Sequence, residues 1–125
     1  MRLVVGVGCR EATEAAVLRE HAESVLTDAG WSREDVDLLV TVAGREHHPA
    51  VRSLAEAWGV DVVGYPRERL ATQDVPTPSP RVAAASGTPS VAEAAVLAAD
   101  AILRLPKQTT PMTSVAVGEL MTGAA

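Results

Sequence analysis

The sequence predicts an α/β fold, a three-layer α/β/α sandwich around a mostly parallel or mixed sheet of about five strands. Three observations carry that prediction. Short valine-rich runs alternate with amphipathic stretches in the order β-α-β-α-β, and glycines close most of them. Aromatic residues make up only 2% of the chain, with no Phe, so the core must be built from Val, Leu and Ala, which favours close helix-on-sheet packing. A chain of 125 residues that is 47% hydrophobic suits one core, hence a single domain over residues 1–125.

Leu3 to Val7 is an apolar run closed by Gly8, the pattern of a buried strand. From Thr13 to Ala29, apolar residues recur at Val17, Leu18, Ala22, Val25, Leu26 and Ala29, one helical stripe that Gly30 stops. Val36 to Ala43 reads as a second strand ending at Gly44. Pro49 to Trp58 reads as a second helix, with Pro49 in its first turn and Gly59 just past its end. Val60 to Gly64 supplies the third strand.

Residues 72 to 89 contain four prolines, yet Ser79 can cap, Pro80 can open a helix, and Arg81 to Ser86 can form a turn ended by Gly87. A further helix is expected from Ser90 to Ala99, where Ser90 and Glu93 have the spacing of a capping box. Ala101 to Leu105 and Ser114 to Gly118 complete the strands, separated by the polar connection PKQTTPMT, and the terminal TGAA is expected to fray.

A formal net charge of -5, and no cluster of Lys or Arg, argue against nucleic-acid binding. The one cysteine, Cys9, fits a reducing cytoplasm; no secretion signal and no uncharged run of membrane-spanning length is seen. No cofactor is expected. GVGCRE lacks the third glycine of a dinucleotide fingerprint, since Glu11 stands at that position.

In an open α/β sheet, ligands meet the edge where parallel strands end. Gly8 to Glu11, Gly44 to His48 and the region around Lys107 are expected there. Cys9 is a candidate nucleophile if Arg10 and a helix N-terminus lower its pKa, although a small buried cysteine is the commoner role. His47 and His48 are candidate general acids or bases, or else a solvated loop ahead of Pro49. Neighbouring histidines do not share a helix face and no Cys or third clustered His completes a zinc set, so a metal site is not expected. Lys107, with Gln108, Thr109, Thr110, Thr113 and Ser114, has carboxylate-binding chemistry, and equally the composition of an ordinary polar loop. A triad drawn from Ser90, His48 and Asp100 lacks the GxSxG elbow that would support it.

GVGCRE, GTPSVAEAA and LPKQTTPMTSVAVG, in this order across nearly the whole length, resemble the CobE/CbiG C-terminal domain family of cobalamin biosynthesis. The resemblance implies an α/β/α domain that works on the corrin ring. In larger relatives an N-terminal domain precedes it, and the whole protein opens the lactone of cobalt-precorrin-5A with loss of acetaldehyde. This chain looks like the stand-alone form, for which binding of a precorrin or corrin intermediate is implied, and docking onto another cobalamin-biosynthesis enzyme is the further alternative. In the second segment, where relatives carry something close to SIDLKADEPGL, this chain has TVAGREHHPAV: Arg45 keeps a family positive charge, while Ala43, His47 and His48 replace family acids. The expected substrate-binding residues are therefore Arg10, Arg45, Thr88, Ser90, Lys107 and Thr109, with His47, His48 and Cys9 as the catalytic candidates.

Overall fold

The computed structural model describes residues 2–75 and 91–121. Nine helices and strands succeed one another among these residues: β1 Leu3–Cys9, α1 Ala15–Asp28, β2 Val36–Val42, α2 Pro49–Trp58, β3 Asp61–Tyr65, α3 Arg67–Ala71, α4 Val91–Ala98, β4 Ala101–Thr109 and β5 Thr113–Leu120. The expected cap at Ser79 and Pro80, the turn from Arg81 to Ser86, Gly87, the Ser90 capping position and residues 122–125 lie outside the described residues.

The strands form one mixed sheet in the order β3-β2-β1-β5-β4. β1 pairs with β2 and β2 with β3 in parallel, whereas β5 runs antiparallel to both β1 and β4. Alternation along the strands divides the core into two layers. Leu3, Val5, Val7, Leu39, Val115 and Val117 pack with Leu18, Val25 and Leu26 of α1 and with Val51, Leu54 and Trp58 of α2. Val4, Val40, Val42 and Ala116 face Ala92, Ala95 and Val96 of α4, with Leu70 of α3 beside them. The three-layer prediction therefore holds.

The α4 layer lies close to the sheet because both surfaces are made of small residues. A Cβ on Gly6 would overlap the carbonyl oxygen of Ala92, and one on Gly118 would overlap the Val96 side chain. Gly6 of GVG thus admits the α4 backbone, whereas Gly8 makes room for the Ser114 hydroxyl.

Both long helices stop at the expected glycines. At α1, Gly30 has φ 81° and Trp31 N–H donates to Leu26 C=O at 2.9 Å; at α2, Gly59 has φ 66° and Val60 N–H donates to Ala55 C=O at 3.0 Å. Each closes the last turn through a left-handed residue, a conformation that costs glycine least. Val17 and Ala29 depart from their expected places in the stripe: Val17 is 39% exposed at the rim and Ala29 is exposed at the C-cap, while Leu18, Ala22, Val25 and Leu26 form the buried face.

The end of the chain departs further. β4 does not stop at Leu105 but continues through Pro106, Lys107 and Gln108 to Thr109, so most of the expected polar connection is strand and the hairpin tip is only residues 110–112. β4 is an edge strand whose register shifts between Leu103 and Gln108, which is where a proline and charged side chains are tolerated. The helix α3 and the short 3-10 turns at Arg33–Asp35 and Arg45–His47 were not expected either.

Candidate functional site at the sheet edge

The C-terminal ends of β1 and β2 meet the tip of the β4–β5 hairpin at one edge of the sheet. Across it, Cys9 stands opposite Thr113, and Gly8 opposite Ser114, which in turn faces Thr109. The segment after β1 is bonded to the hairpin: Arg10 N–H donates to Met112 C=O at 2.9 Å, Arg10 Nε to Pro111 C=O at 2.8 Å, and Thr13 Oγ1 to Met112 C=O at 3.2 Å. It is also bonded to the segment after β2. Arg45 pairs with the Glu11 carboxylate, and His48 Nε2 bonds the Glu11 carbonyl at 2.9 Å. Gly44, with φ 104°, turns the chain from β2 into the 3-10 turn that carries Arg45.

Two of the three polar segments expected at this edge are therefore brought together, and the third partner is the hairpin tip. Lys107 stands back from it. It lies on β4, two strand spacings or roughly 10 Å from β1, and its backbone N–H donates to Glu93 Oε2 at 2.9 Å. Glu93 is fully buried in α4, where this bond to the β4 backbone is one of its contacts. Thr109 ends β4 in the row shared with Ser114 and Gly8. Thr88 and Ser90 lie outside the described residues; the first residue of α4, Val91, is close enough to Gly8 to meet a Cβ placed there, so α4 begins beside the same edge.

His48 is buried and both ring nitrogens are engaged. Nδ1 accepts from Ala50 N–H at 3.0 Å, capping α2, and the carbonyl of Glu11 then requires the proton on Nε2. That occupancy makes His48 a brace between α2 and the segment after β1, leaving neither nitrogen to serve as a general base. The proton placement is assigned from its partners. His47 is exposed, in the 3-10 turn ahead of α2.

Cys9 faces the α1/α2 layer and is half-buried. Burial pushes its thiol up from the ordinary value, more than the nearby Arg45 guanidinium lowers it, and Glu11 adds to the rise. The expected activation by Arg10 is absent because that side chain turns to the Pro111 carbonyl. The triad drawn on paper is dispersed as well: Asp100 sits in the turn between α4 and β4, at the opposite end of the sheet from His48.

Sequence reasoning missed a chain of hydroxyls. Thr110 Oγ1 accepts from Thr113 N–H at 3.0 Å and Met112 N–H at 3.3 Å, which occupies both lone pairs. Its own proton is thereby directed to Thr113 Oγ1, 2.6 Å away, and Thr113 in turn donates to His21 Nδ1 at 2.6 Å. The chain requires a neutral His21 with its proton on Nε2, and burial lowers the pKa of that imidazole from its ordinary value. Hairpin tip and α1 are thus locked together through three side chains. No local signal marks the lock, since His21 and Thr113 are 92 positions apart.

Charges of both signs meet at this edge, where Glu11 and Glu14 stand beside two arginines. Arg10 and Arg45 are there, and α1 and α2 both begin there with the positive ends of their dipoles. Glu14 at the start of α1 makes no side-chain cap bond. An open groove of about 480 Å³ lies elsewhere, between α2 and β3, lined by Glu46, His47, Arg52, Glu56 and Asp61 among others. Three carboxylates against one arginine and one histidine suit an anionic ligand poorly. Among the described residues no three His, Cys, Asp or Glu side chains gather as a metal-ligand set, and no helix is long and apolar enough to cross a membrane.

Comparison with known proteins places this geometry in a family. The family described as Cobalamin synthesis G C-terminus matches residues 3–118. Over 97 residues the chain is 33% identical to Protein CobE from Sinorhizobium sp, covering 76% of this chain and 63% of that one. It is 27% identical over 95 residues to a cobalt-precorrin-5A hydrolase from Priestia megaterium, covering 76% of this chain and 25% of the hydrolase. In both cases the match spans less than two thirds of the relative's length. Among solved structures, CobE of the cobalamin (vitamin B12) biosynthetic pathway superposes with a TM-score of 0.87 at 30% identity, covering 95% of this chain and 90% of CobE. The cobalamin biosynthesis protein chiG from Agrobacterium tumefaciens superposes with a TM-score of 0.71 at 26% identity, covering 94% and 98% respectively. With all five strands and both helical layers represented in the matched span, the chain belongs to the cobalamin-biosynthesis family defined by the C-terminal part of cobalamin synthesis protein G.

Proposed function

We propose that this domain binds a carboxylate-rich precorrin or corrin intermediate of cobalamin biosynthesis along the edge formed by β1, β2 and the β4–β5 hairpin. The observation that carries the reading is the convergence of Arg10 and Arg45, from separate strand–loop junctions, onto one edge with the threonine-lined hairpin tip. Corrin precursors present several acetate and propionate groups around a flat ring. Separated guanidinium groups match such carboxylates, and Thr109, with Lys107 farther along β4, extends the proposed surface. Each charge-assisted hydrogen bond contributes about 1.5 to 3 kcal/mol, so two or three supply about 3 to 9 kcal/mol toward the roughly 8 kcal/mol of micromolar affinity, and contact with the face of the ring must offset the ordering costs.

Binding is favoured over catalysis by the state of the candidate groups. His48 has both nitrogens bonded, the Cys9 thiol is pushed up, and Lys107 stands two strands from the guanidinium pair. The similarity to a cobalt-precorrin-5A hydrolase supports a second reading, lactone opening with His47 as base, in which docking onto another pathway enzyme completes the site. Titration with hydrogenobyrinic acid tests the first, and incubation with cobalt-precorrin-5A, which carries the lactone, tests the second. The first reading expects a spectral shift and binding heat at micromolar protein with the ligand recovered unchanged; absence of both, or turnover lost in His47→Ala, overturns it.

A further inference from the structure

We infer that Glu11 is a built-in competitor for the ligand: its carboxylate occupies the Arg45 guanidinium and must be displaced by a ligand carboxylate, so that Glu11 sets the affinity and selectivity of the edge. The inference rests on the binding reading above and concerns the regulation of that same site.

Three features of the pair point to exchange rather than to a fixed strut. The Glu11 backbone is pinned, because its carbonyl accepts from the buried His48 ring at 2.9 Å, so the residue keeps its place when its side chain leaves. The side chain is 87% exposed, against 35% for Arg45, so the carboxylate swings into water while the guanidinium stays seated in the turn after β2. Arg45 also holds Glu11 well ionised, below the usual carboxylate range, through their hydrogen bond. A ligand carboxylate is chemically the same acceptor, and exposed ion pairs are weak enough to be exchanged readily.

A resident carboxylate then acts as a filter. A ligand with one carboxylate gains little by replacing Glu11, since it exchanges one ion pair for another. A ligand that reaches Arg10 and Arg45 together has an additional contact with which to outcompete it. This favours macrocycles with several acidic arms over small metabolic acids.

The test is a titration of hydrogenobyrinic acid into wild type, Glu11→Gln, Arg45→Gln and the double variant, with citrate as the small-acid probe. Glu11→Gln is expected to bind hydrogenobyrinic acid about two- to fivefold tighter than wild type, in keeping with an exposed pair, and to narrow the preference for it over citrate. In the Arg45→Gln background the same substitution is expected to change nothing. Equal or weaker binding by Glu11→Gln, while wild type binds, overturns the inference and leaves the binding reading standing. A gain that persists undiminished without Arg45 overturns it also, because it reports only a change in overall charge. Failure of all four proteins to bind overturns the binding reading and the inference with it.

Discussion

Replacing Thr113 with Val removes one buried hydroxyl and almost nothing else. Valine keeps the β-branched shape that β5 accommodates, and Thr113 is only 4% exposed, so the change is felt inside the protein. Two side-chain bonds disappear, one to His21 and one to Thr110, each 2.6 Å long. At about 0.5 to 1.5 kcal/mol each they sum to about 1 to 3 kcal/mol. The added buried methyl returns up to about 1 kcal/mol, leaving a net loss near 1 kcal/mol, or about 4 °C in Tm for a domain of this size. Urea unfolding is the assay, with an unchanged m-value expected because the native surface is not altered. Thr113→Ser is the companion variant, retaining the hydroxyl while losing a methyl. A Thr113→Val midpoint equal to wild type, or a Thr113→Ser midpoint that falls just as far, would refute the idea that hydroxyls lock the hairpin tip to α1.

The same contacts set three further outcomes. The unfolded chain takes up a proton on His21 near its ordinary value of 6.5, whereas burial lowers that value in the fold. Stability therefore falls as pH drops below about 6.5 towards the folded-state value, and His21→Gln flattens this part of the urea-midpoint profile. Gly6→Ala forces α4 off the sheet at Ala92 and is expected to cost about 3 kcal/mol, whereas Gly30→Ala, with open space around it but a φ of 81°, costs about 1 kcal/mol; calorimetric Tm values rank the two. Because Glu11 raises and Arg45 lowers the thiol pKa of the single cysteine, Glu11→Gln is expected to shift the pH profile of Cys9 alkylation by iodoacetamide to lower pH and Arg45→Gln to higher pH. Coincident profiles would remove the coupling.

The β-α-β-α-β half was legible because each of its elements has a one-dimensional signature: a valine run, an apolar stripe, a glycine at the stop. The α4 layer was legible in part, since GVG and the alanine-rich helix both announce close approach. The edge strand was not. β4 passes through Pro106 and Lys107 with a shifted register, so its residues look like a loop, and only pairing with β5 makes them a strand. At the site, Arg10 and Arg45 were legible because each stands just past the end of a parallel strand, where topology opens a crevice for ligands. His48 carries a readable signal of its structural role, for the residue before a first-turn proline is a helix cap. Glu11, His21 and Thr113 act through partners 34 to 92 positions away, and nothing in their neighbourhoods marks them.

The central claim is that Arg10 and Arg45 together hold the carboxylates of one ligand, and isothermal titration of hydrogenobyrinic acid into wild type, Arg10→Gln, Arg45→Gln and the double variant measures it most directly. The account predicts micromolar binding by wild type, a loss of about tenfold or more for each single variant, and no measurable heat for the double variant. Wild-type affinity retained when both guanidinium groups are gone would contradict it.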